Sequence, residues 1–79
     1  MMPVYGFVAG DTIGLLVLCR EDELVSELAA KMQNASRLRV APRSAVDVVH
    51  RDLVLDPTWT LGRAGIRALD RVDLVEKVR

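Results

Sequence analysis

The chain has 79 residues, enough for one small domain with a modest core, since a chain of this length buries only about 60–65% of its unfolded surface. Hydrophobic residues make up 51% of it and aromatic residues only 4%. This aliphatic composition predicts more apolar surface than the core can hide, and therefore a partner protein. The 11 basic and 11 acidic side chains cancel, so neither nucleic acid nor an anionic membrane is expected as the main ligand.

The sequence contains one cysteine, Cys19, which cannot form an internal disulfide. No stretch has the charged, apolar and small-residue order of a signal peptide, and none has about 20 apolar residues in a row. These features predict a cytoplasmic protein.

Two β-favouring runs, residues 3–8 and 12–19, are separated by turn residues 9–11 and predict a hairpin. The two-residue period of a strand puts Leu16 and Leu18 on one face of the second run. The opposite face carries Ile13, Leu15, Val17 and Cys19. Because both faces are apolar, we expect one to pack on a helix and the face of Leu16 and Leu18 to be covered by a partner.

An amphipathic helix of about three turns is predicted next. Its apolar positions recur at helical spacing: Leu24, Val25, Leu28, Ala29 and Met32. Asp22 is the predicted N-cap, because a carboxylate is favoured where a helix begins, and Asn34 is the predicted left-handed stop. Glu27 and Lys31 have the spacing of a stabilising ion pair.

The second half of the chain begins with a predicted loop, residues 35–44, which carries three arginines and Pro42. Residues 46–50 and 53–55 predict two short strands, joined by a tight turn at residues 51–52. A turn at residues 56–57 then leads to Thr60, the predicted cap of a single helical turn that Gly65 ends.

The last segment predicts a buried Ile66 and a final strand in which Val72, Leu74 and Val78 alternate with polar residues. The whole order of elements predicts an α+β fold, the ubiquitin-like β-grasp, as a single domain of residues 1–79. Its mixed sheet should have about five strands, with the first and last parallel at the centre. One main helix packs on one face, and a short helical turn precedes the last strand.

Patterns for catalysis and metal binding are missing from the sequence. The single histidine, His50, and Cys19 cannot make a zinc site alone, and no phosphate loop, Gly-x-Ser-x-Gly elbow or Cys-x-x-Cys pair occurs. We therefore expect no catalytic residue, no cofactor and no metal in this chain. His50 is interpreted as a solvated or hairpin-packed imidazole, and Cys19 as a packing residue.

Candidate contact residues for a partner lie mainly in the loop after the helix: Arg37, Arg39, Pro42 and Arg43. These arginines are either solvated or bind carboxylates and aromatic edges on a partner. Pro42 favours the second interpretation, because it limits the freedom of the loop before binding. Trp59 is equally an interface anchor or a lid on the core. Leu16 and Leu18 complete the predicted contact set.

Several segments spread over nearly the whole chain share the pattern of one family: Pro3-Val4, Asp11, the Ala-Ala-Lys of residues 29–31, the Arg-Val-Ala-Pro-Arg of residues 39–43, and the Thr60 to Ile66 turn. Together they resemble the small gamma (B) subunit of bacterial multicomponent toluene monooxygenases. Residues 39–43 are the most specific, since a generic ubiquitin-like fold does not need them. Trp59 departs from a common methionine, so the substrate branch, aromatic hydrocarbon or alkene, stays open.

The resemblance implies a non-catalytic subunit that docks on a large alpha subunit, which carries a carboxylate-bridged di-iron centre and activates dioxygen. The hydroxylase would contain paired alpha, beta and gamma chains. A Rieske ferredoxin, an NADH-dependent reductase and a small effector protein would complete the system. No cofactor is implied for this chain itself.

Two other classes of ubiquitin-like protein compete with this interpretation. A sulfur carrier or protein modifier needs a flexible tail ending in Gly-Gly, whereas residues 76–79 read Glu-Lys-Val-Arg. An accessory subunit of a type VII-like secretion system is the remaining alternative, because the Gly65-Ile66-x-x-x-Asp70 ending occurs there as well. A hydroxylase subunit should co-purify with a large iron-containing chain, whereas a secretion subunit should follow membrane or ATPase components.

Overall fold

The structure, a computed structural model, describes residues 1–77. Within them the elements are β1 (Met2–Val8), β2 (Leu15–Cys19), α1 (Val25–Ser36), β3 (Val46–His50), β4 (Leu53–Val54) and β5 (Arg71–Glu76). The predicted hairpin is confirmed, although β2 begins later than residue 12. The reason is a side-chain turn, in which the Asp11 carboxylate accepts the Ile13 N–H at 3.1 Å and keeps this stretch out of the ladder.

The strands form one mixed sheet in the order β2-β1-β5-β3-β4. Strand β1 pairs antiparallel with β2 and parallel with β5, and β3 pairs antiparallel with both β5 and β4. The first and last strands therefore lie side by side at the centre, as the sequence predicts. This pairing requires a crossover, and α1 provides it by packing across one face of the sheet.

The core lies between α1 and the inner face of the sheet. The sheet and the helix both supply aliphatic side chains to it, among them Val4, Val17, Val72, Leu74, Val25, Leu28 and Met32. Burying each such side chain stabilises the fold by about 1.5–3 kcal/mol. Gly6 of β1 makes room for the helix, because a Cβ there would lie 2.9 Å from Met32 Cε. Val78, which the sequence predicts to face the core, lies outside the described residues.

Helix α1 begins differently from the prediction. Asp22 as the N-cap is wrong: Leu24 occupies that position, with extended backbone angles. The first helical N–H groups donate instead to backbone carbonyls of a distant segment, Val25 to Trp59 at 2.8 Å and Ser26 to Pro57 at 3.1 Å. These bonds satisfy donors that a local cap residue would otherwise have to satisfy.

The middle and end of α1 also depart from the local pattern. Glu27 accepts the Leu24 N–H at 2.8 Å, and Lys31 pairs with Glu23 at 2.8 Å, so the predicted pair of Glu27 and Lys31 does not form. Asn34 as the stop is wrong as well. The helix continues to Ser36, whose hydroxyl donates to the Met32 carbonyl, and the following residue keeps a right-handed conformation.

The turn before β5 is formed as predicted. The Thr60 hydroxyl accepts the Arg63 N–H at 3.1 Å, and Gly65 ends the turn with φ of +82°. The Ile66 N–H donates to the Leu61 carbonyl and the Gly65 N–H to the Gly62 carbonyl, the bond pair of a Schellman motif. Ile66 is buried.

Strand β4 is shorter than predicted. The tight turn before it is confirmed, with positive φ at both Arg51 and Asp52. The Leu55 N–H still donates to the Val48 carbonyl at 2.9 Å, but the chain then leaves the sheet at Pro57 and crosses to the start of α1.

Candidate partner interface

An exposed apolar patch covers one end of the outer sheet face, which is the face opposite α1. Across the antiparallel ladder Pro3 pairs with Leu18, and Tyr5 pairs with Leu16. Leu16 is 61% exposed, Leu18 55% and Tyr5 44%. We call Pro3, Tyr5, Leu16 and Leu18 the sheet patch. The apolar second face predicted for β2 is confirmed, and its contact with a partner stays a prediction.

The sequence pattern identified only half of this patch. Pro3 and Tyr5 were missed because only the strand register shows which β1 residues lie beside Leu16 and Leu18. Leu69 was missed as well: it is exposed, and its N–H donates to the Pro3 carbonyl. It holds a positive φ of 69°, which a leucine rarely adopts and which no local signal announces.

The other half of the outer face carries charged side chains among apolar ones such as Val49 and Val75. The Arg71 guanidinium lies 4.2 Å from the centroid of the Phe7 ring and pairs with Asp73 at 3.1 Å. Asp47 of β3 lies on the same face as Asp73, because both alternate with inward-facing residues. The sheet patch is therefore bordered by charged side chains on one side.

Arg39, predicted as a partner contact, forms a bidentate ion pair with Asp11 of its own chain. Its Nε and Nη2 atoms donate to the carboxylate at 2.9 and 2.8 Å. This bond lowers the pKa of Asp11 below its ordinary value. The pair ties the loop after α1 to the loop between β1 and β2, and Pro42 is exposed in the same loop. Contact of either residue with a partner stays a prediction.

The other two arginines also have bonds within the chain. The Gln33 side chain accepts the Arg43 N–H at 2.6 Å and donates to the Arg43 carbonyl at 3.1 Å, while Arg43 Nη1 donates to the Ala9 carbonyl at 3.1 Å. Arg37 Nη1 donates to the Asn34 carbonyl at 2.9 Å. The loop is thus held in place before any partner binds.

Trp59 lies partly buried at the edge of the core and packs against it. The Arg63 guanidinium lies 5.4 Å from the centroid of the indole ring, within the range of a cation–π contact. Within this chain Trp59 therefore acts as a lid. Its use as an interface anchor stays a prediction.

His50 and Cys19 are packing groups, as predicted. His50 is 6% exposed, and its Nε2 lies 2.9 Å from Asp70 Oδ2. The Arg67 N–H also donates to Asp70, and these bonds together lower the pKa of that carboxyl. The buried Cys19 thiol lies 3.3 Å from the Met2 carbonyl, and burial raises the pKa of the thiol. Raising this pKa keeps the sulfur in its unreactive protonated form.

The described part of the chain contains neither a metal-binding cluster nor a membrane-spanning helix. Among residues 1–77, no group of three or more His, Cys, Asp and Glu side chains is arranged to hold a metal ion. None of the helical residues described forms a helix that is both long and apolar enough to cross a membrane.

Comparison with known families decides between the classes left open by the sequence. The sequence model of the toluene-4-monooxygenase system protein B family matches residues 1–75. The chain belongs to this family. The resemblance found in the sequence is thereby confirmed, and the secretion alternative is not favoured. This membership agrees with the prediction that the chain is an accessory, non-catalytic subunit of a monooxygenase hydroxylase. No curated protein matches the sequence significantly.

Solved structures share the fold of this system protein B member. A chain of the toluene 4 monooxygenase HD complex with inhibitor 4-bromobenzoate has a TM-score of 0.88 at 21% identity, over 96% of this chain and 98% of that chain. Caldiarchaeum subterraneum ubiquitin has a TM-score of 0.81 at 18% identity, over 99% and 95%. A chain of ATBAG1 in complex with HSP70 has 0.80 at 13% identity, over 98% and 41%. The ubiquitin-like β-grasp is confirmed.

Proposed function

We propose that this chain is the small, non-catalytic gamma subunit of a soluble di-iron monooxygenase hydroxylase that oxidises a hydrocarbon, aromatic or alkene, with dioxygen. The observation that carries the proposal is the family match over residues 1–75. The subunit acts as one domain, residues 1–79, and docks on the large subunit. That large subunit, and not this chain, supplies the di-iron centre.

The chemistry of the described residues supports a structural role. The groups that most often take part in catalysis, His50 and Cys19, are both buried and bonded within the chain. The apolar surplus of the composition, in contrast, remains at the surface as the sheet patch. A contiguous exposed apolar patch with a charged border is typical of a protein–protein interface.

The sheet patch is the main docking surface in this proposal. Tyr5 and the two leucines lie on a rigid ladder, so little conformational entropy is lost when a partner covers them. Arg37, Arg39, Pro42 and Arg43, in the loop after α1, form a second contact area. Trp59, whose carbonyl lies at the other end of the helix, is a separate contact. The arginine loop is already fixed by Asp11 and Gln33, which lowers its ordering cost on binding.

The wider assembly follows the family pattern. The hydroxylase contains paired alpha, beta and gamma chains, and a Rieske ferredoxin, an NADH-dependent reductase and an effector protein act with it in the cytoplasm. The balanced charge of 11 basic and 11 acidic side chains supports protein partners rather than nucleic acid or a membrane.

Co-expression with the alpha and beta hydroxylase subunits tests the function. We expect the chain to co-purify in equal amount with the alpha subunit, with the iron found in the alpha subunit by mass and metal analysis. Absence of the chain from the purified hydroxylase would refute the proposed function.

A double substitution in the patch tests the docking surface. Leu16→Thr/Leu18→Thr keeps β propensity but removes apolar area, so the affinity for the large subunit should fall about tenfold or more. The matched control is Leu53→Thr/Val54→Thr, since these residues are 67% and 62% exposed on the opposite edge strand. Equal loss in both variants would contradict docking through the sheet patch.

A further inference from the structure

A groove of about 310 Å³ runs between helix α1 and the edge of strand β3 that faces away from β5. Its floor is apolar and buried: Val25, Ala29, Val48 and Leu55. Ala30 of the helix and Val46 of the strand form its two walls. The groove lies on the α1 side of the sheet, so it is separate from the sheet patch.

The main chain of Val46 faces this groove. The Ala45 carbonyl accepts the Lys77 N–H at 3.1 Å, so residue 45 forms a hydrogen-bonded pair with the β5 side. Because such pairs alternate along an antiparallel ladder, the N–H and C=O of Val46 point away from β5. The Val48 carbonyl, two residues further along β3, accepts the Leu55 N–H on the same edge, away from β5. None of residues 1–77 supplies a partner to the Val46 peptide groups.

The chain leaves this position open for a chemical reason. The register of β3 with β4 pairs Val49 with Val54, so a continued strand would place Pro57 opposite Val46. Proline has no N–H to donate, and the Pro57 carbonyl already accepts the Ser26 N–H at 3.1 Å. Strand β4 therefore cannot continue along β3. An uncovered strand edge of this kind accepts an added strand from another chain.

We propose that this groove binds an extended segment of the large hydroxylase subunit, which adds to the edge of β3 at Val46. The occupant is a peptide because the groove presents a main-chain donor and acceptor at strand spacing. Its inward side chain is apolar because the floor is made of Val25, Ala29, Val48 and Leu55. Val46 is the first residue of β3 and residues 44 and 45 form a bend, so the added segment is short and pairs at Val46 alone. The inference rests on the proposed function.

Hydrogen exchange at the Val46 amide tests this binding mode, with mass spectrometry resolved to single residues. The isolated chain and the reconstituted hydroxylase are compared. In the isolated chain the Val46 N–H has no partner and should exchange rapidly. In the hydroxylase a new main-chain hydrogen bond should slow this exchange by about tenfold or more.

Two alanines of α1 provide a matched pair of variants. Ala30→Arg fills the groove, so it should abolish the protection of Val46 and weaken binding to the large subunit about tenfold. Ala35→Arg adds the same side chain at an exposed position of the same helix, outside the groove, and should change neither. Circular dichroism melting of both variants checks that they fold.

The outcomes separate this inference from the proposed function. If the chain co-purifies with the large subunit while Val46 exchanges as fast as in isolation, the groove proposal fails and the proposed function stands. If the chain does not co-purify, the proposed function fails and the groove proposal fails with it. Protection of Val46 that appears in the isolated chain and grows with its concentration would identify a second copy as the occupant, which also overturns the proposal.

Discussion

Both faces of the sheet carry large aliphatic side chains, yet only one of the faces is covered. On the inner face Val4 and Val72 are fully buried beneath α1, whereas on the outer face Leu16 and Leu18 are more than half exposed. Hydrophobicity does not distinguish the two sets. The difference is that α1 covers only the inner set, because a chain of this length forms one helix layer and leaves the second face of the sheet to solvent or to a partner. The outer face is therefore where binding and stability can be separated by mutation.

The inner face should respond most strongly to truncation. Leu74→Ala removes a side chain that is 1% exposed at the centre of the sheet, and we expect the free energy of unfolding to fall by about 2–5 kcal/mol. This is a large part of the stability of a domain of this size. Urea denaturation measures it. A loss similar to that of an outer-face substitution would mean that the two faces do not differ as described.

The polar end of the inner face should give an intermediate effect. Asp70→Ala leaves the buried His50 without its carboxylate partner, and we expect a loss of about 1–3 kcal/mol at neutral pH. The pKa of Asp70 is lowered on folding, so its contribution is present above the unfolded pKa and is lost as the pH falls through the folded pKa.

Acid unfolding of Asp70→Asn sharpens this prediction. The stability of the wild-type chain should fall with acidification below about pH 4, the ordinary range of an aspartate. The asparagine variant should begin less stable and fall less steeply over the same range. Thermal melts across pH 2 to 7 measure both chains, and parallel curves would show that Asp70 is not responsible.

In the loop after α1, substitutions should change stability through charge. Arg39→Glu places two carboxylates together at Asp11, so the melting temperature should fall. The swap Asp11→Arg/Arg39→Glu should restore much of it, because the ion pair is rebuilt in reverse. Binding of the swapped variant to the large subunit then separates the two roles of Arg39. Retained binding would show that the loop is tied internally and does not use this charge on the partner.

The outer face should give the smallest change in stability. Leu16→Thr/Leu18→Thr alters side chains that contact mainly solvent, and the unfolding free energy of the isolated chain should change by no more than about 0.5 kcal/mol. Urea denaturation beside Leu74→Ala provides the comparison. A loss above about 2 kcal/mol would place these leucines in the core instead.

Much of the fold could be predicted from the sequence where the signals are local. The turn closed by Gly65 needs only a cap, a left-handed glycine and a buried Ile66, all of which are adjacent in sequence. The start of α1 could not be predicted in this way, because the partner of the Val25 N–H is a carbonyl at Trp59. Local acidic residues gave the wrong cap for that reason.

The candidate site was predictable in part for the same reason. Alternation within one strand is a local pattern, so it identified Leu16 and Leu18, whereas Tyr5 joins them only through the register between strands. The sequence alone suggests Arg39 as a partner contact, because it does not show the ion pair that Arg39 forms with Asp11, a residue far away in sequence. Residues whose bonding partners are far away in sequence are those for which local reasoning is least informative.

The parallel pairing of β1 with β5 has a consequence for biosynthesis. The centre of the sheet cannot close until residues 71–76 have left the ribosome, and α1 lacks its N-terminal acceptors until residues 57–59 have emerged. Folding that depends on such non-local contacts is slow for a domain of this size. An interrupted translation product would expose the inner valines and the sheet patch together, so we expect it to aggregate or be degraded rather than to persist as a partial subunit.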